Sequence, residues 1–210
     1  MTVSLHDGIG GLELALQSEA DLVLRSLRAA LNALETADEE LASEVVAADH
    51  AIDRASLGLH ESIYRLLACQ SPVAVDLRLV LAMLHVNLHL ERAGDECVTI
   101  AKLVRLTAQL ARDARLLEGF EEMGTRAQEM LRLAVDCFLR RDPPGCAALA
   151  DLDDVIDSSN RRVVDHVLES SAGEELGEWA VRMVIVSRCL ERIGDHAVEI
   201  GEQTARLGMR

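Results

Sequence analysis

Two kinds of acidic pair, each with its carboxylates four residues apart, occur twice along this chain. Leu90-Glu91-Arg92-Ala93-Gly94-Asp95 returns one hundred positions later as Leu190-Glu191-Arg192-Ile193-Gly194-Asp195, and Val98 and Ile100 are echoed by Val198 and Ile200. Upstream, Asp49-His50-Ala51-Ile52-Asp53 matches Asp153-Asp154-Val155-Ile156-Asp157. Acidic residues scattered by composition alone do not recur in register, so the chain reads as an internal duplication with one chemistry kept in both copies. On a helix, residues four apart share a face with Cβ atoms about 5–6 Å apart, so each pair repels itself unless cations sit nearby. Those cations are either arginines, with Arg54, Arg92, Arg161, Arg162 and Arg192 at hand, or metal ions. The donor set of Asp49, Asp53, Glu91, Asp95, Asp153, Asp157, Glu191 and Asp195 is oxygen only. It suits magnesium, manganese, calcium or ferric iron better than thiophilic metals, and zinc stays open.

The spacing also sets which pairs meet. A helical hairpin folded about Pro72 places Asp49 opposite Asp95 and Asp53 opposite Glu91. Antiparallel helices on a short connection pair residues equidistant from the turn. Folding about Gly173-Glu174 places Asp153 opposite Asp195 and Asp157 opposite Glu191, on arms about two residues shorter.

Rival chemistries find less support. A carboxylate-bridged dimetal enzyme on a helical bundle needs Glu-x-x-His, which is absent from this sequence. His85 and His89 are four apart, yet on a helical wheel His89 points about 160° from Glu91, which sets both apart as ligands. His196 follows Asp195 directly and is placed at the edge of the acidic site. Arg92 and Glu96 have the spacing of an ordinary i, i+4 ion pair. No Gly-x-x-x-x-Gly-Lys loop, nucleophile elbow or Cys-x-x-Cys occurs, and Ser187 and Cys189 read as packing residues. The expectation is a non-enzymatic chain; the alternatives are the dimetal enzyme and a metal-free acidic scaffold for basic partners.

The elements that must position these residues are helices. Apolar residues recur every three or four positions, proline occurs only at 72, 143 and 144, and no alternating β-branched run appears. Helices are expected at about 8–36, 38–69, 72–111, 115–141, 143–170 and 174–208, an all-α fold of two three-helix units, 1–112 and 113–210. Ser71-Pro72 and Asp142-Pro143 read as N-cap followed by Pro at the first helical position, and Asp38 as the cap of the second helix, with Glu39 and Glu40 at its positive end. Ser170-Ser171-Ala172-Gly173 is expected to end the fifth helix. Gly94 and Gly194 lie mid-helix, where glycine costs about 1 kcal/mol relative to alanine; close packing or room for a cluster beside Asp95 and Asp195 would offset that.

Composition narrows the partners. A net charge of −15 and 2% aromatic residues argue against nucleic acid, which needs basic surface and stacking platforms. Five scattered cysteines in apolar stretches fit a reducing compartment. No signal peptide is expected, and the longest uncharged apolar stretch, Leu79–Leu90, falls short of the ~20 residues that cross a bilayer. The expectation is a soluble, cytoplasmic protein without membrane insertion.

The duplicated Leu-Glu-Arg-x-Gly-Asp, Gly194-Asp195-His196-Ala197, and Ser71-Pro72-Val73-Ala74-Val75-Asp76-Leu77-Arg78 together resemble the PhoU family of phosphate-uptake regulators over nearly the whole chain. That resemblance implies two three-helix bundles related by a pseudo-twofold axis. It implies metal clusters held by Asp49 with Asp53, Glu91 with Asp95, Asp153 with Asp157, and Glu191 with Asp195, with iron, zinc, manganese or magnesium as candidate ions. It further implies a non-enzymatic negative regulator of the phosphate-starvation response. Such a regulator links the ATPase subunit of the phosphate ABC transporter to the membrane sensor histidine kinase, is peripheral to the inner membrane through these partners, and leaves a homodimer open. A family copy serving another transporter is the alternative reading. Glu199 stands where the family often has Asn, and Cys97 where Ala is common; Glu199 adds a carboxylate four residues after Asp195.

Overall fold

A computed structural model describes residues 4–170 and 177–208. It contains six long helices and no strand among the described residues: α1 Leu5–Thr36, α2 Glu39–Gln70, α3 Ala74–Thr107, α4 Ala114–Arg140, α5 Ala148–Ser170 and α6 Gly177–Gly208, with a 3-10 turn at Pro144–Ala147 before α5. At 1.5 Å per residue a 32-residue helix such as α1 runs about 48 Å.

Local chemistry explains most of the boundaries. Ser4 accepts from the Asp7 amide at the start of α1, Asp38 from those of Glu40 and Leu41 at α2, and Asp113 from those of Arg115 and Leu116 at α4. Each bond satisfies donors that no helical carbonyl can reach. Three helices end on left-handed residues, Ala37, Ser71 and Arg141, whose amides return to the preceding turn.

Two expected caps are corrected. Ser71 does not open α3; its φ of 45° makes it the C-cap of α2, and α3 starts at Ala74 behind Val73, leaving Pro72 in the turn. The reason is competition for one residue, since closing α2 with the Ser71 amide on the Leu67 carbonyl leaves it unable to adopt the extended N-cap backbone. Asp142-Pro143 opens the 3-10 turn rather than a regular helix, with the Asp142 carboxylate accepting from the Gly145 amide at 3.2 Å. The turn at Gly173-Glu174 and the Ser171-Ala172-Gly173 stop lie outside the described residues; α5 is described to Ser170.

The duplication is visible in what each helix buries. Leu12, Leu16, Val23, Leu27 and Leu34 of α1 are matched 104 positions on by Leu116, Phe120, Ala127, Leu131 and Phe138 of α4. Val45, Ile52, Leu59 and Ile63 of α2 are matched at the same offset by Leu149, Ile156, Val163 and Val167 of α5. For α3 and α6 the offset is 100: Met83, Val86, Leu90 and Ile100 against Met183, Val186, Leu190 and Ile200.

The helices α1, α2 and α3 pack on one another, as do α4, α5 and α6, and the 112/113 division lies in the connection between α3 and α4. Across that division α3 lies along α6 in the most extensive helix contact of the fold, and α1 touches α4. One apolar core runs through both halves.

Candidate functional site

The hairpin α2–α3 carries Asp49, Asp53, Glu91 and Asp95, and α5–α6 carries Asp153, Asp157, Glu191 and Asp195. Close helix approach brings each set together. Gly94 lies so near α2 that a Cβ there would stand 3.1 Å from Ile52 Cδ1, and Gly194 would meet Ile156 Cδ1 at 3.2 Å and Asp153 Oδ1 at 3.5 Å. The mid-helix glycines thus pack against the isoleucine between the two acids of the facing helix, and carboxylates gather beside each contact.

The electrostatics reflect that crowding. Burial first, then the charges of Asp53 and Asp95, raise the Asp49 carboxyl above its ordinary range. Burial, then Asp95 and Asp53, do the same to Glu91. In the second half, burial, then Asp157 and Asp195, raise Asp153; burial and Asp195 raise Glu191; burial raises Asp195, with Asp157 adding to it against Arg188. Asp153 Oδ1 and Glu191 Oε2 are buried without a hydrogen-bond partner. Each half therefore crowds carboxylates against one another, and in the second half two of their oxygens are buried without a hydrogen-bond partner.

These residues fit a hard cation in donor type, and Asp153 and Glu191 also in their unpartnered oxygens. Among the described residues, however, no three His, Cys, Asp or Glu side chains converge to coordinating distance. Mutual repulsion of like charges favours such splaying.

Several placements differ from the spacing-based expectations. His196 does not lie at the edge of the acidic site; it is buried between α3 and α6, where its Nδ1 stands 3.3 Å from Nδ1 of His89. Burial, then the neighbouring His89, Arg192 and Arg92, hold it neutral with a pKa lowered to about 4. Glu96 does not pair with Arg92; its carboxylate is buried and bonded to Arg192 of α6 at 2.8 Å. Both corrections share one cause, because positions 89 and 96 of α3 meet 196 and 189 of α6 across an antiparallel crossing that no one-helix wheel contains. Of the arginines expected to neutralise the acids, Arg192 is taken by Glu96 and Arg162 reaches Glu122 at 3.7 Å.

Two residues near the acidic sets went unnoticed in the sequence. Arg188 pairs with Glu191, one turn earlier on α6, an i, i+3 spacing that a search beyond i, i+4 would have caught. Glu19 is the second. It sits in the buried stripe of α1 between Leu16 and Val23, fully inaccessible, with neither carboxylate oxygen hydrogen-bonded. Burial and the charge of Glu91 push its carboxyl up to about 8. An acid at an apolar-stripe position was the available signal.

The PhoU domain family model matches residues 16–104 and, a second time, 120–204. The chain belongs to the PhoU family. A phosphate-specific transport system accessory protein PhoU homolog of Pseudomonas aeruginosa is 32% identical over 188 residues, covering 86% of this chain and 75% of that protein. PhoU homolog 1 of Thermotoga maritima is 30% identical over 186 residues, covering 87% and 79%. The crystal structure of PhoU from Pseudomonas aeruginosa superposes with a TM-score of 0.89 at 28% identity, over 97% of this chain and 98% of that one. That of the phosphate transport system regulatory protein PhoU from Streptococcus pneumoniae gives 0.88 at 26%, over 97% and 96%. The all-α, six-helix architecture is thus the PhoU fold, and both acidic sets fall within the two PhoU-domain matches.

Proposed function

We propose that this PhoU-family chain is a negative regulator of the phosphate-starvation response. It acts as a non-enzymatic adaptor between the ATPase subunit of a phosphate ABC transporter and the phosphate-sensing histidine kinase. The observation that carries the reading is the acidic site built twice, in equivalent places of two equivalent hairpins, inside a fold shared with proteins named as phosphate-transport accessories. In this reading Asp49, Asp53, Glu91 and Asp95, and separately Asp153, Asp157, Glu191 and Asp195, hold metal ions of the iron, manganese, magnesium or zinc class. A bound cation would replace repulsion within each set by attraction and pin α2 to α3 and α5 to α6, stiffening the faces offered to partners. No described helix is long and apolar enough to cross a membrane, so partners would bring the chain to the membrane surface. Under ample phosphate the adaptor keeps the kinase in its inactive or phosphatase mode.

Deleting the gene tests the regulatory part: phosphate-starvation promoters should fire in phosphate-rich medium, and full repression there would sink it. Mass spectrometry of the untagged protein tests the metal part. Stoichiometric metal is expected, and is lost when Glu91, Asp95, Glu191 and Asp195 are changed together to alanine; no metal in either protein after reconstitution would refute it.

A further inference from the structure

The cysteines differ in their surroundings. Cys97 and Cys189 are buried where α3 meets α6, and burial pushes both thiols well above their ordinary range. Cys69 is exposed near the end of α2. Cys137 is buried near the end of α4, and Cys146 is half-buried in the 3-10 turn that leads into α5. The connection between these last two folds back on itself and brings them together. Both bond to the main chain of Asp142, whose amide donates to the Cys137 carbonyl at 2.9 Å and whose carbonyl accepts from the Cys146 thiol at 3.8 Å. The Cys137 sulfur lies 2.8 Å from where a Cβ on Gly145, the residue before Cys146, would stand, so only glycine leaves that space to the sulfur. The Cys137 and Cys146 thiols hydrogen-bond to each other.

The first half shows what the fold itself needs at this corner. Ala33 and Ala42 stand 104 positions earlier, both fully buried and both bonded through the main chain to Asp38, the counterpart of Asp142. Methyl groups therefore fill the corner, and in the second half both positions, not one, carry sulfur. A thiol that serves only as a small apolar filler has no need of a second thiol beside it. Access is also unequal. Cys146 is open to a small oxidant, while Cys137 lies behind it at 3% exposed. Burial first, and then Cys146, hold the Cys137 thiol up at about 12, which protects it from direct oxidation. Conversion of Cys146 to a neutral sulfenic acid removes the neighbouring charge that contributes to that rise.

We propose that Cys137 and Cys146 form a reversible redox site, in which a hydroperoxide oxidises Cys146 and Cys137 then closes a disulfide between the end of α4 and the turn before α5. In the first step the Cys146 sulfur takes the terminal oxygen of the hydroperoxide, the O–O bond breaks, and water leaves when the oxidant is hydrogen peroxide, with a sulfenic acid remaining. In the second step the Cys137 sulfur attacks the Cys146 sulfur, the S–O bond breaks, and the departing hydroxide takes the Cys137 proton to leave as water. Two electrons pass from the thiol pair to the peroxide, and a dithiol reductant returns them by exchange. The turn that carries Cys146 touches α4, α5 and α6, and the Cys146 Cβ is 3.6 Å from where a Cβ on Gly201 would stand. The bridge therefore fixes the α4–α5 connection at the place where all three helices of the second half meet.

The full reduced chain is treated with hydrogen peroxide, free thiols are alkylated after unfolding, and the peptides are mapped by mass spectrometry. The expected result is the loss of two alkylatable thiols and a 137–146 cross-link within one chain, both reversed by dithiothreitol, with Cys97 and Cys189 still reduced. In Cys137→Ala, which copies Ala33, Cys146 should stop at the sulfenic acid and be trapped by dimedone. In Cys146→Ala, which copies Ala42, Cys137 should remain reduced. Circular dichroism should show both variants helical. Wild-type protein in which Cys137 and Cys146 both stay free while Cys69 is oxidised, in which Cys146 reaches the sulfinic acid beside a reduced Cys137, or in which Cys146 bridges two chains would overturn the site.

Discussion

Changing Glu19 to glutamine isolates the effect of one sealed carboxyl on stability. Its ordinary value of 4.5 describes the unfolded chain, and in the fold it rises to about 8. Between those two values the folded protein keeps a proton that the unfolded chain has released. Stability due to this group is therefore full below pH 4.5 and falls as pH rises toward 8, at about 1.4 kcal/mol per pH unit. His196, lowered to about 4 from 6.5, acts in the opposite sense around and below 6.5, where the unfolded chain takes up a proton that the fold refuses. It is common to wild type and variant, so the interval from pH 6.5 to 8, read as the difference between the two, reports Glu19 without that imidazole. Over it the loss comes to about 1.5 kcal/mol, allowing for the flattening near the folded pKa. For a chain of 210 residues that is about 3–6 °C in Tm. Thermal unfolding in the presence of a chelator, followed by circular dichroism at pH 6.5, 7.25 and 8, should therefore show the wild-type Tm falling relative to that of Glu19→Gln by this amount. Glutamine has the same shape and does not titrate, so its constant packing penalty cancels in the comparison. Parallel curves for the two proteins would refute the reasoning, since they would mean that Glu19 is ionised at neutral pH in the fold.

Two further substitutions probe the scaffold that holds the acidic sets. Gly94→Ala gains about 1 kcal/mol in helix propensity, yet its methyl would stand 3.1 and 3.2 Å from two atoms of Ile52. A net loss of about 1 kcal/mol in urea unfolding is expected, turning into a gain when Ile52→Ala opens the space, with a coupling of at least about 1 kcal/mol; additive effects would show that the helices are not in tight contact there. Arg192→Ala removes the partner of the buried Glu96 carboxylate across α3 and α6. Because the guanidinium is half exposed the pair itself is worth little, but the stranded charge should cost about 1–3 kcal/mol, most of it restored by adding Glu96→Ala; equal losses in the single and double variants would argue against the pairing.

Legible in the chain itself is whatever spacing along one helix, or across one short turn, controls. The 3.6-residue periodicity required helices, and the repeated Leu-Glu-Arg-x-Gly-Asp required two equivalent halves. Counting back from Pro72 put Asp49 and Asp53 on the helix facing Glu91 and Asp95, the α2–α3 arrangement that the structure contains. Helix geometry is rigid, so a register fixed at one residue holds four or forty residues away. Even at this range two meanings of one residue compete, as at Ser71, which could close α2 or open α3 but not both.

How the halves meet belongs to the tertiary structure. His89 with His196, and Glu96 with Arg192, depend on how far α6 is rotated about its axis and where it crosses α3, quantities set by packing of the whole core and written in no local pattern. The same holds for Glu19. Its position on α1 marks it as inward-facing, but only the helices closing around it make it wholly inaccessible and leave both its oxygens without a partner. Burial is a property of the assembled bundle, and burial is what turns an ordinary glutamate into one that holds its proton to about pH 8.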